Sequence, residues 1–272
     1  MSVLGDYMRV LQIASGSKGN ATYIETEYSK ILIDCGISKK RIVDELLKIN
    51  VSLNEIDAIL LTHEHSDHTS GLLPLINGTK STIYATLGTY NGLSSRIKEK
   101  APKSRFRTIS ADDVFEINDL QIEVLETFHD ALEPVGFILK SYDKKIVYIT
   151  DTGYVHQTYF DKISNANMYI WESNHDPVIL MNSDRPYETK MRILSDHGHM
   201  SNLDSSHALG SVLGPSTKYV IFAHISEECN LVQIVKLTSE RVFKDLGLDV
   251  SEIEFKYASQ APLEVINLWK LQ

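Results

Sequence analysis

A single α/β domain spanning residues 1–272 is what this chain predicts, and three observations lead there. Short apolar, β-branched runs such as Ile31-Leu32-Ile33 and residues 56–61 read as buried strands, and helix-length stretches separate them. Hydrophobic residues make up 43% of the chain and charged residues 23%, the balance of a globular protein with one sizeable core. No apolar run reaches the roughly 18 residues needed to cross a bilayer, so no membrane partner is expected.

The elements come in order along the chain. Residues 9–14 form a first strand, then a small polar loop, Ser15-Gly16-Ser17-Lys18-Gly19-Asn20, then a strand pair at 21–25 and 30–33. Such a loop can offer backbone N–H groups and hydroxyls to a phosphate, which makes Ser17 and Asn20 candidate substrate contacts. Asp34 closes the third strand ahead of a helix over 38–49, and the strand over 56–61 comes next. Beyond it a strand is expected at 81–85, a helix at 86–98, and strands at 106–109, 114–117 and 120–126. A hairpin pairs 135–140 with 145–150, and a buried strand covers 167–171. Helices are expected at 186–195, 203–213 and 230–246, with strands at 219–222, 252–257 and 263–268.

The densest chemistry lies in Thr62-His63-Glu64-His65-Ser66-Asp67-His68, on a strand-to-helix loop. Imidazole and carboxylate without thiolate suit Zn²⁺, Mn²⁺ or Fe rather than a structural cysteine–zinc site. His63 and His65, two apart in an extended segment, point the same way, while Asp67 and His68 face a second position beyond the bend. The spacing therefore suggests two adjacent divalent ions.

His63-x-His65-x-Asp67-His68 resembles the signature of the metallo-β-lactamase-fold hydrolases, and the other motifs of that family occur in order as Asp34, His129, Asp151 and His224. The resemblance implies an αββα sandwich, two mixed sheets flanked by helices. It implies one metal held by His63, His65 and His129 and a second by Asp67, His68 and His224, with Asp151 bridging. Asp34 would brace the metal loop without touching metal. Paired cations activate a water and clamp phosphoryl oxygens, and Asp67 is suited to orient the resulting hydroxide.

The 72 residues between Asp151 and His224 leave no room for the cap domain of the β-CASP enzymes. Residues 172–176 (Glu-Ser-Asn-His-Asp) and the run from Arg185 through Asp196-His197-Gly198-His199-Met200-Ser201-Asn202 resemble the YycJ/WalJ-like bacterial exonucleases. That likeness implies 5′-to-3′ digestion of DNA, with Mn²⁺ a plausible working metal. The runner-up is a small cyclic phosphodiesterase, and behind it a lactonase or thioester hydrolase. Because residues 198–202 open a helix, their N–H groups favour an anion, with His199 placed to donate a proton and Ser201 and Asn202 to contact phosphate. Asn174 and His175 are further candidate contacts, and Arg185, Lys190 and Arg192 add charge nearby.

The formal net charge of −9 weighs mildly against a nucleic-acid partner, although a di-metal site supplies positive charge where it matters. Two cysteines, Cys35 and Cys229, are too few for a disulfide framework. With no basic, apolar leader at the N-terminus, the expected compartment is the cytosol.

Overall fold

The computed structural model describes residues 7–268. Fourteen strands form two seven-stranded sheets among the described residues. The first holds β1 (Met8–Ala14), β2 (Ala21–Glu25), β3 (Lys30–Ile33), β4 (Ala58–Leu60), β5 (Thr82–Thr86) and β6 (Phe106–Ile109) in sequence order, with β14 (Ile266–Leu268) beside β1. The second runs β7 (Val114–Ile117), β8 (Leu120–Glu126), β9 (Val135–Ser141), β10 (Lys144–Ile149), β11 (Met168–Glu172), β12 (Tyr219–Ala223) and β13 (Glu254–Tyr257).

Each sheet is antiparallel on one side and parallel on the other, and the change falls at β3 in the first and β10 in the second. Two halves of the chain thus repeat one strand plan, a likeness the residues themselves do not display. In each half the parallel strands are linked by crossovers carrying helices, which cover the outer faces.

Alternation explains the layers. Along β3, Ile31 and Ile33 point between the sheets while Leu32 points out to the helices; along β12, Ile221 points between and Val220 and Phe222 point out. Strands apolar on both faces are what a sandwich buried on both sides requires. The layer between the sheets includes Phe137, Tyr148 and Ile170, all essentially inaccessible to water. Among the described residues no helix is long and apolar enough to cross a membrane. Cys35 and Cys229 are buried free thiols.

Several boundaries depart from expectation. The helix expected over 86–98 is two helices, Leu87–Gly92 and Ser95–Lys100, because the Ser94 hydroxyl accepts from the Ile97 amide and starts a new helix. Pro177–Asn182 forms a helix where none was expected, capped by Asp176, whose carboxylate accepts from the amides of Val178 and Ile179. The last two strands begin later than expected, at Glu254 and Ile266.

Candidate metal centre

The chemistry collects where β4, β8, β10, β11 and β12 deliver their carboxyl ends, the edge at which open α/β sheets present ligands. The loop after β4 brings His63, His65, Asp67 and His68; those after β8, β10 and β12 bring His129, Asp151 and His224. Donor atoms of His63, His65 and His129 lie within 4.8 Å of one another, as do those of Asp67, His68 and His224. Asp151 joins His63 and His68 in a third such group and His224 in a fourth. The first two sets contain the residues expected to hold each metal, while the fourth also contains Glu172 and His199, which were not expected as ligands. Both sheets contribute, so the site sits across their seam.

The backbone is bent to make this possible. Asp34, Asp151 and His224 all adopt left-handed conformations, with φ of 58°, 56° and 53°. Non-glycine residues rarely do so, and each costs on the order of 1–2 kcal/mol. Asp34 and Asp151 come directly after β3 and near the end of β10, equivalent posts in the two halves. Gly36 lets the metal loop lie against the turn after β3, since a Cβ there would stand 1.5 Å from the Asp67 carbonyl oxygen.

Asp34 is fully buried and wholly engaged. One oxygen accepts from the Thr62 amide (2.9 Å); the other takes the Thr62 hydroxyl (2.9 Å) and His68 Nδ1 (2.7 Å). Holding Nδ1 leaves His68 Nε2 for the cluster, where it lies 3.4 Å from carboxylate oxygens of both Asp67 and Asp151. His129 is fixed likewise, its Nδ1 2.9 Å from the Gly198 carbonyl oxygen.

Burial alone would depress the His224 imidazolium, but the carboxylates of Asp151, Asp67 and Glu172 outweigh it and push its pKa up to about 10. Burial likewise opposes a charged His68, and Asp151 and Asp34 reverse it. For Asp151 burial favours the neutral acid, yet His224 and His68 hold it well below the usual carboxylate range. His63 faces mainly other imidazoles, so burial and the neighbouring His68 keep it neutral. The cluster is thus a knot of anionic oxygens balanced by protonated imidazoles, a balance that a divalent cation takes over from the protons.

A metal fits these residues. His63 Nε2, His224 Nε2 and Asp151 Oδ2 are buried without a hydrogen-bonding partner among the described residues, an expensive arrangement unless something cationic satisfies them. Nitrogen and carboxylate oxygen suit a divalent ion of borderline hardness.

Glu172 was missed from the sequence. It ends β11, is fully buried, and accepts from His199 Nδ1 (2.7 Å) and the amides of Thr152 (2.9 Å) and Met200 (3.3 Å). Its Oε1 also lies 3.3 Å from His224 Nδ1. Flanking His199, Asp151 and His224, its carboxylate is held ionised at about 2, those imidazoles outweighing burial. The signal that could have found it was an acid closing an apolar strand, the same pattern that singles out Asp34 and Asp151. Glu64 was also passed over; it accepts from the Leu132 amide (2.8 Å) and so ties the metal loop to the loop carrying His129.

The expected phosphate contacts are placed differently. In the 15–20 loop, the Gly16 amide donates to Asn20 Oδ1, the Asn20 amide to the Asp67 carbonyl, and Lys18 pairs with Glu227. The Asn20 N–H thus supports the metal loop while those of Gly16 and Gly19 close the 15–20 loop on itself, and Ser17 alone of the expected contacts there is left exposed. The helix Asn202–Gly210 is no open anion site either. Ser201 caps it, accepting from the Asp204 amide, and an acidic Asp204 fills the first turn. Asn202 bonds Ser173 and Asn230, and Asn174 donates to the His224 carbonyl oxygen (2.8 Å), so these polar groups are spent internally. His175 is buried with neither ring nitrogen bonded among the described residues, and burial pulls its pKa down to about 4. Arg185 pairs with Glu228, Lys190 caps the carbonyls of Met181 and Ser183, and Arg192 pairs with Asp130.

Known proteins resemble this chain in sequence and in fold. A family model described as a beta-lactamase superfamily domain matches residues 29–225. Exodeoxyribonuclease YycJ of Bacillus anthracis is 35% identical over 240 residues, 88% of this chain and 90% of its own length. Exodeoxyribonuclease WalJ of Streptococcus pneumoniae is 36% identical over 265 residues, 96% of this chain and 97% of its own. Among solved structures, the metallo-β-lactamase-fold protein YhfI from Bacillus subtilis aligns at a TM-score of 0.71 with 17% identity, covering 96% of this chain and all of that one.

Proposed function

The chain belongs to the metallo-β-lactamase-fold hydrolases, beside the YycJ and WalJ exodeoxyribonucleases, and from that membership we propose that it is a metal-dependent phosphodiesterase shortening DNA from the 5′ end. The observation that carries the reading is the Glu172–His199 pair set against a complete cluster of metal-ligating side chains. A hydrolase of phosphodiesters needs a proton for the departing oxygen. His199 lies at the cluster's edge, less buried than His224, with its Nδ1 held by the buried Glu172 carboxylate and no hydrogen bond to its Nε2 among the described residues.

Two divalent ions, Mn²⁺ or Zn²⁺, held by His63, His65 and His129 and by Asp67, His68 and His224 across Asp151, would supply Lewis acidity toward phosphoryl oxygens and a more acidic water. The chain's own residues do the rest. Asp67, more exposed than the buried Asp151, orients the attacking oxygen by accepting a hydrogen bond from it. His199 gives a proton from Nε2 to the leaving oxygen, while Glu172 fixes the orientation of the ring through Nδ1. Asp34, Asn20, Asn174, Ser201 and Asn202 hold this geometry in place. Free thiols at Cys35 and Cys229 suit a reducing compartment, and we assign the reaction to the cytoplasm.

The test is hydrolysis of a 5′-phosphorylated duplex by the Mn²⁺-loaded protein, with bis(p-nitrophenyl) phosphate in parallel. Progressive loss of nucleotides from the 5′ end is expected. Cleavage of the small diester without shortening of DNA would refute the exonuclease reading and favour a small phosphate diester as substrate.

A further inference from the structure

The expected cations at 185–192 are engaged within the protein, yet a nucleic acid strand needs positive charge somewhere along its path. Charge along the chain is uneven. Residues 80–107 carry seven lysines and arginines against one carboxylate, Glu99, a net +6 in a chain whose total is −9. This stretch builds β5, β6 and the two helices between them.

A groove of about 650 Å³ separates the second of those helices, Ser95–Lys100, from the metal loop. One wall is the metal loop and the turn that leaves it, with Glu64, Ser66 and Ser70; the other presents Ser94, Arg96 and Lys100. Glu64 and Ser66 are the chain neighbours of His63, His65 and Asp67, so the groove runs beside the metal loop. Arg96 and Lys100 are exposed and make no ion pair or hydrogen bond among the described residues. Four residues apart on a helix, they stand about 6 Å from each other along its axis, on one face. The lone carboxylate in the lining, Glu64, is partly spent on the Leu132 amide. A second cavity, about 700 Å³, is lined by Lys144, Lys218, Glu252 and Glu254 at the opposite strand ends, far from the cluster and of balanced charge.

We propose that the groove between the metal loop and the helix Ser95–Lys100 carries the sugar–phosphate backbone of the DNA strand next to the scissile bond, with Arg96 and Lys100 on successive phosphates. The inference rests on the DNA-cleaving reading above and names the surface that reading requires. Backbone contacts of this kind read no bases, so the track is indifferent to sequence. Hydroxyls of Ser66 and Ser94 complete a polar lining suited to phosphate oxygens.

The experiment measures binding of a fluorescein-labelled 20-nucleotide single strand by anisotropy across a salt series, and its shortening by the Mn²⁺-loaded full chain. The double variant Arg96→Glu/Lys100→Glu should weaken binding at least about tenfold and flatten the log–log salt slope by about 1.4, two contacts at roughly 0.7 each. Arg241→Glu/Lys244→Glu, with the same change of net charge on a distant helix, should bind within about twofold of the parent. Shortening of the strand by the parent, with unchanged affinity and slope in Arg96→Glu/Lys100→Glu, would remove the groove and leave the nuclease standing. Equal weakening by both double variants would also remove it, reducing the effect to overall charge. A parent protein that neither binds nor shortens the strand would remove the groove as a strand track, and the nuclease reading would fall with it only if the 5′-phosphorylated duplex were left intact as well.

Discussion

Asp34 is not among the metal-ligating side chains, yet replacing it with asparagine should cost the protein much of its metal. The substitution keeps size and shape, and asparagine tolerates the left-handed backbone at φ 58°, so steric strain is not the cause of any loss. What changes is hydrogen bonding. The carboxylate accepts three times, from the Thr62 amide, the Thr62 hydroxyl and His68 Nδ1. Asparagine has one oxygen and one NH₂. If the oxygen stays on the Thr62 amide, the NH₂ meets His68 Nδ1 and selects the tautomer with its proton on Nε2, the nitrogen facing the cluster. If the amide flips, the Thr62 N–H is buried against a donor, at a cost of about 1–3 kcal/mol. Either way the expected result is a loss of roughly 10–100-fold in metal affinity, the usual effect of removing a partner that orients a ligand. Competition with a chromogenic chelator for Zn²⁺ measures the affinity, and urea unfolding of the metal-free protein measures the stability. Affinity within twofold of the parent would refute the idea that Asp34 sets the His68 tautomer.

The same geometry fixes three further outcomes. Gly36→Ala places a Cβ 1.5 Å from the Asp67 carbonyl oxygen and 2.8 Å from the His68 amide, so the loop must move; metal stoichiometry by atomic emission should drop while far-ultraviolet dichroism stays near that of the parent. His199→Gln should lower turnover of phosphodiesters by about 10²–10⁴ with metal content retained, and loss of metal instead would make His199 a ligand beside Asp151, Glu172 and His224. His175 has a folded pKa of about 4, below the ordinary 6.5, so the unfolded chain takes up its proton first and stability falls as pH drops from 6.5 to 4. That single group accounts for roughly 3 kcal/mol at about 1.4 per pH unit, and His175→Leu should erase it. A stability difference between parent and variant that is the same at pH 7 and pH 4.5 would contradict a neutral buried ring.

The strands and the ligand cluster were legible in the sequence because each rests on a local signal. An apolar β-branched run marks a buried strand wherever it goes, and three histidines with an aspartate in six residues are rarely anything but a site. Partners distant in the chain were not legible. Glu172 and His199 lie 27 residues apart, and nothing in either stretch announces a 2.7 Å bond between them. Asn20, Asn174 and Asn202 read as free polar groups because their acceptors, Asp67, His224 and Asn230, come from remote segments. Arg192 looked free until Asp130 came across from another loop. The break at Ser94 escaped because a serine inside a helical pattern is neutral until its hydroxyl is seen to cap.

The cluster straddles two sheets, and what fixes their separation is a sheet of oil: Phe137, Tyr148 and Ile170 from one side against Ile33 and Leu60 from the other. That layer acts as a spacer gauge for atoms it never touches. Trimming it, as in Ile170→Val, lets the sheets settle or slide by a fraction of an ångström, with no ligand altered. Coordination is far less forgiving of such a slip than packing is. Substitutions deep in this interior should therefore surface as changed metal preference or heat-sensitive loss of metal well before the fold gives way.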